Sequence, residues 1–255
     1  MGIAFPEKLD SGMVRDFWML PSGSTHPHAG VIGGQEFVLK CGSYSTTSHD
    51  DHVHNECVGD DFLRTAGCNV PASREYRADI GHGKVETIRL AERLQNMRHL
   101  KESWQAADAA RRDFLLRQII DTYPVQSFIA GIDTYQHEAL DNVMVDADGR
   151  LWFIDNGASF DYRAKGSPKG WFWERTDLLG THGYFSLRTD DGSMPCTYAQ
   201  TELRALLAGV SDETLRRAAA RYDFTSLVKT LPPDYQRPSL IAYAAALDRW
   251  SRGGF

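Results

Sequence analysis

The sequence predicts an α+β fold of two unequal lobes. Strand patterns fill the first third of the chain, helical patterns dominate after about residue 100, and 255 residues can surround a cleft between two lobes. We place the boundary near residue 93. The prediction is therefore a small lobe over 1–93, built of an antiparallel sheet with one helix, and a mainly helical lobe over 94–255.

In the front part, short apolar runs separated by turn residues predict strands. The runs "AGVI" and "EFVLK" flank Gly33-Gly34, which is typical of a tight hairpin turn. A short strand "DFWML" precedes the polar loop "PSGSTHPHAG". The front part is thus read as strand, loop, strand, turn, strand.

Apolar residues recur at helical spacing in "HVHNECVGDDFLRTAG", where Gly67 is a plausible terminator. A second hairpin is predicted for "REYRADI" and "VETIRLAE", although the latter could equally begin a helix through "RLAERLQNMRHL". Two interpretations therefore stay open for the last element of the front lobe.

The helical part begins with "AARRDFLLRQIIDTY", which carries an apolar stripe of Phe114, Leu115, Ile119 and Ile120. We expect Pro124 to interrupt this helix. The segments "QTELRALLAGVSDETLRRAAARYDF" and "SLIAYAAALDRW" predict further amphipathic helices near the end.

The charge, the apolar runs and the cysteine spacing of the sequence argue against several classes of function. A net charge of −6 argues against a protein that tracks a nucleic-acid backbone, since that affinity comes largely from Lys and Arg on phosphates. No apolar run approaches the roughly 20 residues of a membrane-spanning helix, and we see no targeting signal. The four cysteines, Cys41, Cys57, Cys68 and Cys196, show no CxxC spacing. We expect a cytoplasmic protein, although a secreted bacterial effector could have the same composition.

One hairpin in the helical part carries polar residues at both ends. In "DNVMVDADGRLWFIDNG" the turn "DADG" separates two short apolar strands, and antiparallel pairing brings Asn142 beside Asp155. An amide oxygen beside a carboxylate is a suitable ligand pair for Mg²⁺, which is commonly shared with substrate phosphates. Taken alone, the pair could equally be the solvated end of a hairpin.

Two charged residues in the front part support a functional interpretation. The apolar strand "EFVLK" ends in Lys40, and Glu56 lies on the helix that follows. A strand lysine, a helix glutamate and a later Asn and Asp pair match, in order, the groups used in kinase phosphoryl transfer. These four residues are our candidate phosphate and metal site.

With these residues in this order, the sequence resembles the protein-kinase-like superfamily, and within it the bacterial HipA-like branch. The resemblance covers roughly residues 17–165. It rests on the segments "STHPHAGVIGGQEFVLK", "HNECVGDDFLRTAGCNVPAS", "GIDTYQHEALDNVMV" and "GRLWFIDNGASF". It implies a bilobal protein-kinase-like fold and an ATP-dependent, Mg²⁺-dependent phosphotransferase.

The resemblance also implies roles for individual residues. Lys40 would contact the α and β phosphates of ATP, Glu56 would hold Lys40, and Asn142 with Asp155 would bind Mg²⁺. Asp133 would be the catalytic base. Residues expected to bind the nucleotide are Ser22, Gly23 and Ser24 in the phosphate-covering loop, and Glu92 and Leu94, whose backbone groups would meet adenine.

The sequence departs from the kinase pattern around the base. There is no HRD motif, and nine positions separate Asp133 from Asn142 where a kinase has about five. Asp141 is therefore the alternative base, and His137 stands where the usual spacing puts the aspartate. The motif "DNG" at Asp155 replaces DFG, so the aromatic residue of that motif is missing.

The sequence is compatible with two main functions, which belong to different classes of protein. The first is a Ser/Thr kinase of the HipA-like type acting on a protein or peptide. The second is a pseudokinase-like nucleotide-binding protein or an AMP-transferring effector. A small-molecule kinase is a third, but its motif "HGDxxxxN" is missing from the sequence. We expect no nucleic-acid or membrane partner, and the oligomeric state is left open.

A different metal could bind the cluster "SHDDHVHNE", in which three histidines and two aspartates lie close together. Such a cluster could ligate Zn²⁺. No second group with ligand spacing completes it. A solvated segment before the helix of Glu56 is the preferred interpretation.

Overall fold

The computed structural model describes residues 3–21, 25–44, 49–129, 134, 140, 142–160 and 210–253. Within them the chain is α+β, as the sequence predicts. The strands are β1 Trp18–Met19, β2 His28–Ile32, β3 Gln35–Cys41, β4 Ser73–Ala78, β5 Glu86–Glu92, β6 Arg98–His99, β7 Val143–Val145 and β8 Leu151–Phe153. The helices are α1 Ser11–Val14, α2 Asp50–Thr65, α3 Leu100–Ala106, α4 Ala109–Phe128, α5 Asp212–Ala219, α6 Phe224–Val228 and α7 Pro238–Ser251.

The larger sheet has five antiparallel strands in the order β1-β2-β3-β5-β4. Its β2–β3 hairpin turns at Gly33 and Gly34, whose φ angles of 58° and 80° lie in the left-handed region that glycine tolerates best. This is the hairpin that the sequence predicts. The register of β3 and β5 sets Lys40 opposite Arg89.

Side chains alternate between the two faces of this sheet. On β3, Phe37, Leu39 and Cys41 belong to an apolar core on one face, while Val38 and Lys40 line a cavity on the other. The strand therefore holds a lysine facing the cavity directly beside a cysteine facing the core.

Helix α2 packs against β5 and carries Glu56. It ends as predicted: Gly67 has a φ of 85°, and the backbone N–H of Cys68 donates to the carbonyl of Leu63 at 2.9 Å. Val58, Phe62 and Leu63 belong to the main core with residues of the helical part, so α2 connects the sheet to that core.

The second hairpin is β4–β5, with Tyr76 opposite Ile88. The alternative of a helix through residues 89–100 is wrong. Six consecutive residues of β5, from Glu86 to Ala91, are buried, which suits a central strand covered on both faces rather than an amphipathic helix.

Helix α4 corrects two details of the sequence analysis. It continues through Pro124 to Phe128 instead of stopping there. Proline removes one N–H and disturbs a helix, but Val125 and Phe128, in the turn that follows it, are buried in the main core, and this packing compensates. Of the predicted apolar stripe, Leu115 is fully buried whereas Phe114 is 37% exposed.

The second sheet has the order β6-β7-β8, and its β7–β8 hairpin is the predicted one. The turn is closed by Gly149, which has a φ of 84° and donates its N–H to the carbonyl of Asp146 at 2.9 Å. Helices α5 and α7 form parts of the two predicted C-terminal helical segments. In the residues that the structure describes, no helix is long and apolar enough to cross a bilayer.

Candidate active site

The ammonium group of Lys40 lies between two carboxylates from distant parts of the chain. Its Nζ is 2.9 and 3.0 Å from the two carboxylate oxygens of Glu56 on α2. It is also 2.6 Å from Oδ1 of Asp155, which follows β8. The structure therefore brings together three of the residues that the sequence analysis singled out.

The charges in this group depend on one another. Burial opposes the charged form of Lys40, but Asp155 and Glu56 outweigh it and raise the pKa of Lys40 above its ordinary value. Burial would likewise raise the pKa of Asp155, yet Lys40, with His52 and Arg89, outweighs burial and lowers it. A lysinium and an aspartate carboxylate are thus the forms present at neutral pH.

Arg89 forms ion pairs with two carboxylates, one of which also contacts Lys40. Its guanidinium lies 3.3 Å from Glu56 and 2.7 Å from Asp60, both on α2. Burial raises the pKa of Glu56, while Arg89 and Lys40 oppose that rise by favouring the carboxylate. Asp60 also accepts from the side-chain amide of Asn156 at 2.9 Å, so the same network reaches the loop of Asp155.

Arg89 and Asp60 are not among the site residues that the sequence predicts. The available signal was an arginine inside the apolar strand "VETIRLAE", since a buried arginine requires an acidic partner. Asp60, an acid that is fully buried on the neighbouring helix, is that partner.

The loop after β8 has a constrained backbone. Asp155 has φ 55° and ψ 52°, a left-handed conformation uncommon for residues other than glycine. Two residues later Gly157 lies against His52 of α2, so that a Cβ at this position would be 2.5 Å from Nε2 of His52. The glycine of "DNG" thus allows the loop to approach α2 closely.

Asn55 of α2 holds this loop in place by hydrogen bonds. Its buried side-chain amide donates to the carbonyls of Gly157 at 2.9 Å and Ser159 at 2.8 Å. Its Oδ1 accepts a hydrogen bond from the hydroxyl of Tyr235 at 3.0 Å. One side chain therefore joins α2, the loop of Asp155 and the C-terminal part of the chain.

A cavity of about 420 Å³ opens beside Lys40 and Asp155. This volume lies in the usual range for small-molecule sites. Predicted site residues among its lining are Lys40, Glu92, Leu94, Asn142 and Asp155; its apolar lining includes Leu20, Pro27, Val38, Pro71, Ala91, Met144 and Ile154. The cavity thus has apolar walls suited to a flat ring and a charged end suited to phosphates.

The charged end also provides the oxygen ligands that a magnesium site requires. Asn142 precedes β7 and Asp155 follows β8, and both line the cavity. The register pairs Asn142 with Ile154, whose N–H donates to the carbonyl of Asn142 at 3.0 Å, rather than with Asp155 as the sequence predicts. An amide oxygen and an ionised carboxylate lining one cavity match the preference of Mg²⁺ for hard oxygen ligands. These two residues fit the ion that the sequence analysis assigned to them.

Several predicted residues lie outside the part of the chain that the structure describes. They are the phosphate-loop residues Ser22, Gly23 and Ser24, the candidate bases Asp133 and Asp141, and His137. Their assignments stay predictions.

The histidines and aspartates before Glu56 do not act as one cluster, because His54 and Asp50 contact different partners. His54 contacts Glu75 at 2.7 Å, and Asp50 contacts Arg77 at 3.1 Å. Asp50 and Asp51 lie in the first turn of α2 rather than in a loop. Among described residues the metal-like grouping is a different one, formed by Cys41, His82 and Glu86.

Comparisons with known proteins add a distant likeness of structure. No family model matches the chain, and no curated protein matches it. The chain is similar to WaaP, solved in complex with acyl carrier protein, at 18% identity and a TM-score of 0.39, covering 81% of this chain and 88% of that one.

Two further similar structures have 12% identity to this chain. One is a candidate aminoglycoside phosphotransferase of Ralstonia eutropha JMP134, with a TM-score of 0.39 and coverage of 92% of both chains. The other is a MAP kinase of Leishmania major, with a TM-score of 0.36 and coverage of 92% of this chain and 77% of that one.

Proposed function

We propose that this protein is an ATP- and Mg²⁺-dependent phosphotransferase. The observation that carries the proposal is the position of Lys40. Its ammonium group is held between Glu56 and Asp155 at the charged end of a cavity that Asn142 also lines. Phosphoryl transfer requires mainly positioning and neutralisation of charge, and this arrangement supplies both.

The residues around the cavity divide into two sets. The apolar side chains of Val38, Ala91 and Ile154 would enclose adenine, and the segment of Glu92 and Leu94 would meet its edge. Lys40 would hold the phosphates, oriented by Glu56. This division follows from the chemistry of the lining, in which Val38, Ala91 and Ile154 are apolar whereas Lys40 and Asp155 are charged.

Asn142 and Asp155 would hold Mg²⁺, and Ser22, Gly23 and Ser24 would cover the phosphates. The ion would supply neutralisation of the phosphate charge. Asp155 needs no large change of protonation for this role, because its lowered pKa keeps it ionised at neutral pH.

For the acceptor we propose a Ser or Thr hydroxyl in a protein or peptide, as the resemblance to the HipA-like branch implies. Asp133 would accept the proton of that hydroxyl, with Asp141 as the alternative base. A carboxylate serves this role when it lies within hydrogen-bonding distance of the hydroxyl.

The proposal is tested by incubating the purified protein with ATP labelled in either the γ or the α phosphate and measuring label on protein with and without Mg²⁺. We expect γ label on protein. Lys40→Met and Asp155→Asn should each lower the rate at least about 10²-fold, the usual cost of removing a group that stabilises transition-state charge.

Matched controls change the same residue types at exposed positions. Lys229→Met and Asp113→Asn should keep the rate of the unchanged protein. Transfer of α label would support AMP transfer instead. Label that persists in Asp155→Asn, or a protein that does not bind Mg²⁺-ATP, would overturn the proposal.

A further inference from the structure

A second cluster of ligand-type side chains lies at one end of the larger sheet. Cys41 is the last residue of β3, His82 lies in the loop between β4 and β5, and Glu86 begins β5. The ligand atoms of these three side chains lie within 4.8 Å of one another. The cluster is therefore compact although its members come from three different elements.

The cluster is nearly enclosed. Glu86 is fully buried, Cys41 is 1% exposed, and the His82 side chain keeps about a quarter of its surface open to solvent. Burial of an unpaired carboxylate is costly, and the partners of Glu86 include His82 and the backbone N–H of Ser43. His82 gives this group one opening to solvent, through which an ion could enter.

The loop that carries His82 is fixed by its own hydrogen bonds. Oδ1 of Asp79 accepts the backbone N–H groups of Gly81 at 2.9 Å, His82 at 2.9 Å and Gly83 at 3.1 Å. His82 also contacts Glu86 directly. The imidazole is thus held towards the cluster before any ligand arrives, which lowers the entropic cost of binding.

A backbone N–H also fixes the carboxylate. The N–H of Ser43 donates to Oε2 of Glu86 at 3.0 Å. A donor directed at a ligating carboxylate orients it towards a bound metal ion.

We propose that Cys41, His82 and Glu86 bind one divalent cation of the zinc class. Thiolate, imidazole and carboxylate together suit Zn²⁺, whereas Mg²⁺ and Ca²⁺ prefer oxygen ligands alone. Three protein ligands leave a fourth tetrahedral position for a water molecule. The thiol proton of Cys41 passes to solvent when the sulfur binds the ion.

This site is separate from the candidate active site and does not depend on the proposed function. Cys41 faces the apolar core on one side of β3, and Lys40 faces the cavity on the other. A bound ion would fasten the loop of His82 to the end of the strand that carries Lys40. The ion would therefore stabilise the sheet without occupying the nucleotide cavity.

The test is a titration of the purified, reduced and metal-free protein with Co²⁺, a spectroscopic substitute for Zn²⁺. We expect one equivalent to produce a thiolate-to-Co²⁺ charge-transfer band that Zn²⁺ abolishes. Cys41→Ser should lose the band, while Cys68→Ser, which removes another buried thiol, should keep it. No band in the unchanged protein, or a band that persists in Cys41→Ser, would overturn the proposal.

A second measurement covers the case in which Cys41→Ser does not fold. His82 lies in a loop, so His82→Ala should keep the fold, which circular dichroism checks. Its affinity for Zn²⁺, measured by calorimetry, should fall by more than the roughly 10–100-fold that loss of an outer hydrogen-bonding partner costs. An affinity equal to that of the unchanged protein would contradict the assignment of His82 as a ligand.

Discussion

Asn55 donates its side-chain amide to the carbonyl of Gly157 at 2.9 Å, and this bond joins the helix of Glu56 to the loop of Asp155. Glu56 is the next residue after Asn55, and Asp155 lies two residues before Gly157. The two carboxylates that hold Lys40 are therefore fixed relative to each other by backbone and side-chain bonds as well as by charge.

Asn55→Ala should lower the free energy of unfolding by about 3 kcal/mol. The change removes three buried hydrogen bonds, to the carbonyls of Gly157 and Ser159 and from the hydroxyl of Tyr235, and the loss of each costs about 1–3 kcal/mol, less than additively. Urea unfolding measures the loss. Gln105→Ala, at an exposed position in α3, is the control. A loss below about 0.5 kcal/mol, the range of ordinary surface substitutions, would contradict this role of Asn55.

Gly157→Ala should destabilise the protein by about 1–3 kcal/mol, because the new Cβ would overlap the buried ring of His52. The double variant with His52→Ala makes room for that Cβ. Its loss should be about 1 kcal/mol smaller than the sum of the two single losses. Gly12→Ala, in the exposed turn of α1, is a control for the glycine substitution itself. Strict additivity at residues 52 and 157 would show that the two side chains do not collide.

Stability should fall as the pH drops from about 6.5 to 4, partly because of His52. Burial, with help from Lys40, lowers the pKa of His52 to about 4, whereas the unfolded chain binds a proton near pH 6.5. The unfolded state then holds more protons in this window, so stability rises with pH there. The contribution is about 3 kcal/mol across the window.

His52→Leu should flatten this part of the pH profile, which is measured by denaturant unfolding at several pH values. His54→Gln is an informative contrast, because the hydrogen bond to Glu75 raises the pKa of His54. The stability that His54 adds is present at low pH and is lost as the pH rises through that raised pKa. An unchanged profile in His52→Leu would contradict the assigned shift.

Arg89→Met should cost about 3–5 kcal/mol of unfolding free energy, because it leaves Glu56 and Asp60 buried with one cation fewer. The matched control is Arg117→Met, which breaks the exposed ion pair with Asp113 and should cost well under 1 kcal/mol. Thermal and urea unfolding of both variants make the comparison. Equal losses in the two would mean that the buried network adds nothing beyond a surface ion pair.

The sequence predicted elements whose signals are local. Gly33 and Gly34 between apolar runs, and Gly67 after a helical pattern, mark a turn and a helix end because few other residues adopt those backbone angles. The β7–β8 hairpin was likewise predictable from "DADG". Lys40 and Glu56 were found because each lies at a recognisable place on a strand or helix.

Features that depend on tertiary packing were not predictable. Pro124 should end a helix by its local chemistry, and burial of the residues that follow it reverses that expectation. Nothing in the sequence pairs Arg89 with Asp60 across 29 positions, and the cluster of Cys41, His82 and Glu86 becomes visible once β3 and β5 lie side by side. The first feature arises from the packing of α2 on β5 and the second from the register of β3 and β5, and neither follows from spacing along the chain.

The hydrogen bond between Tyr235 and Asn55 can form only after most of the described residues have been synthesised. Tyr235 lies 180 residues after Asn55, so it leaves the ribosome long after the helix that it contacts. A nascent chain can form the first sheet with Lys40 and Glu56 in place, yet it lacks the tyrosine that fills the acceptor position of Asn55. The candidate active site therefore reaches its final form only after residue 235 has been synthesised.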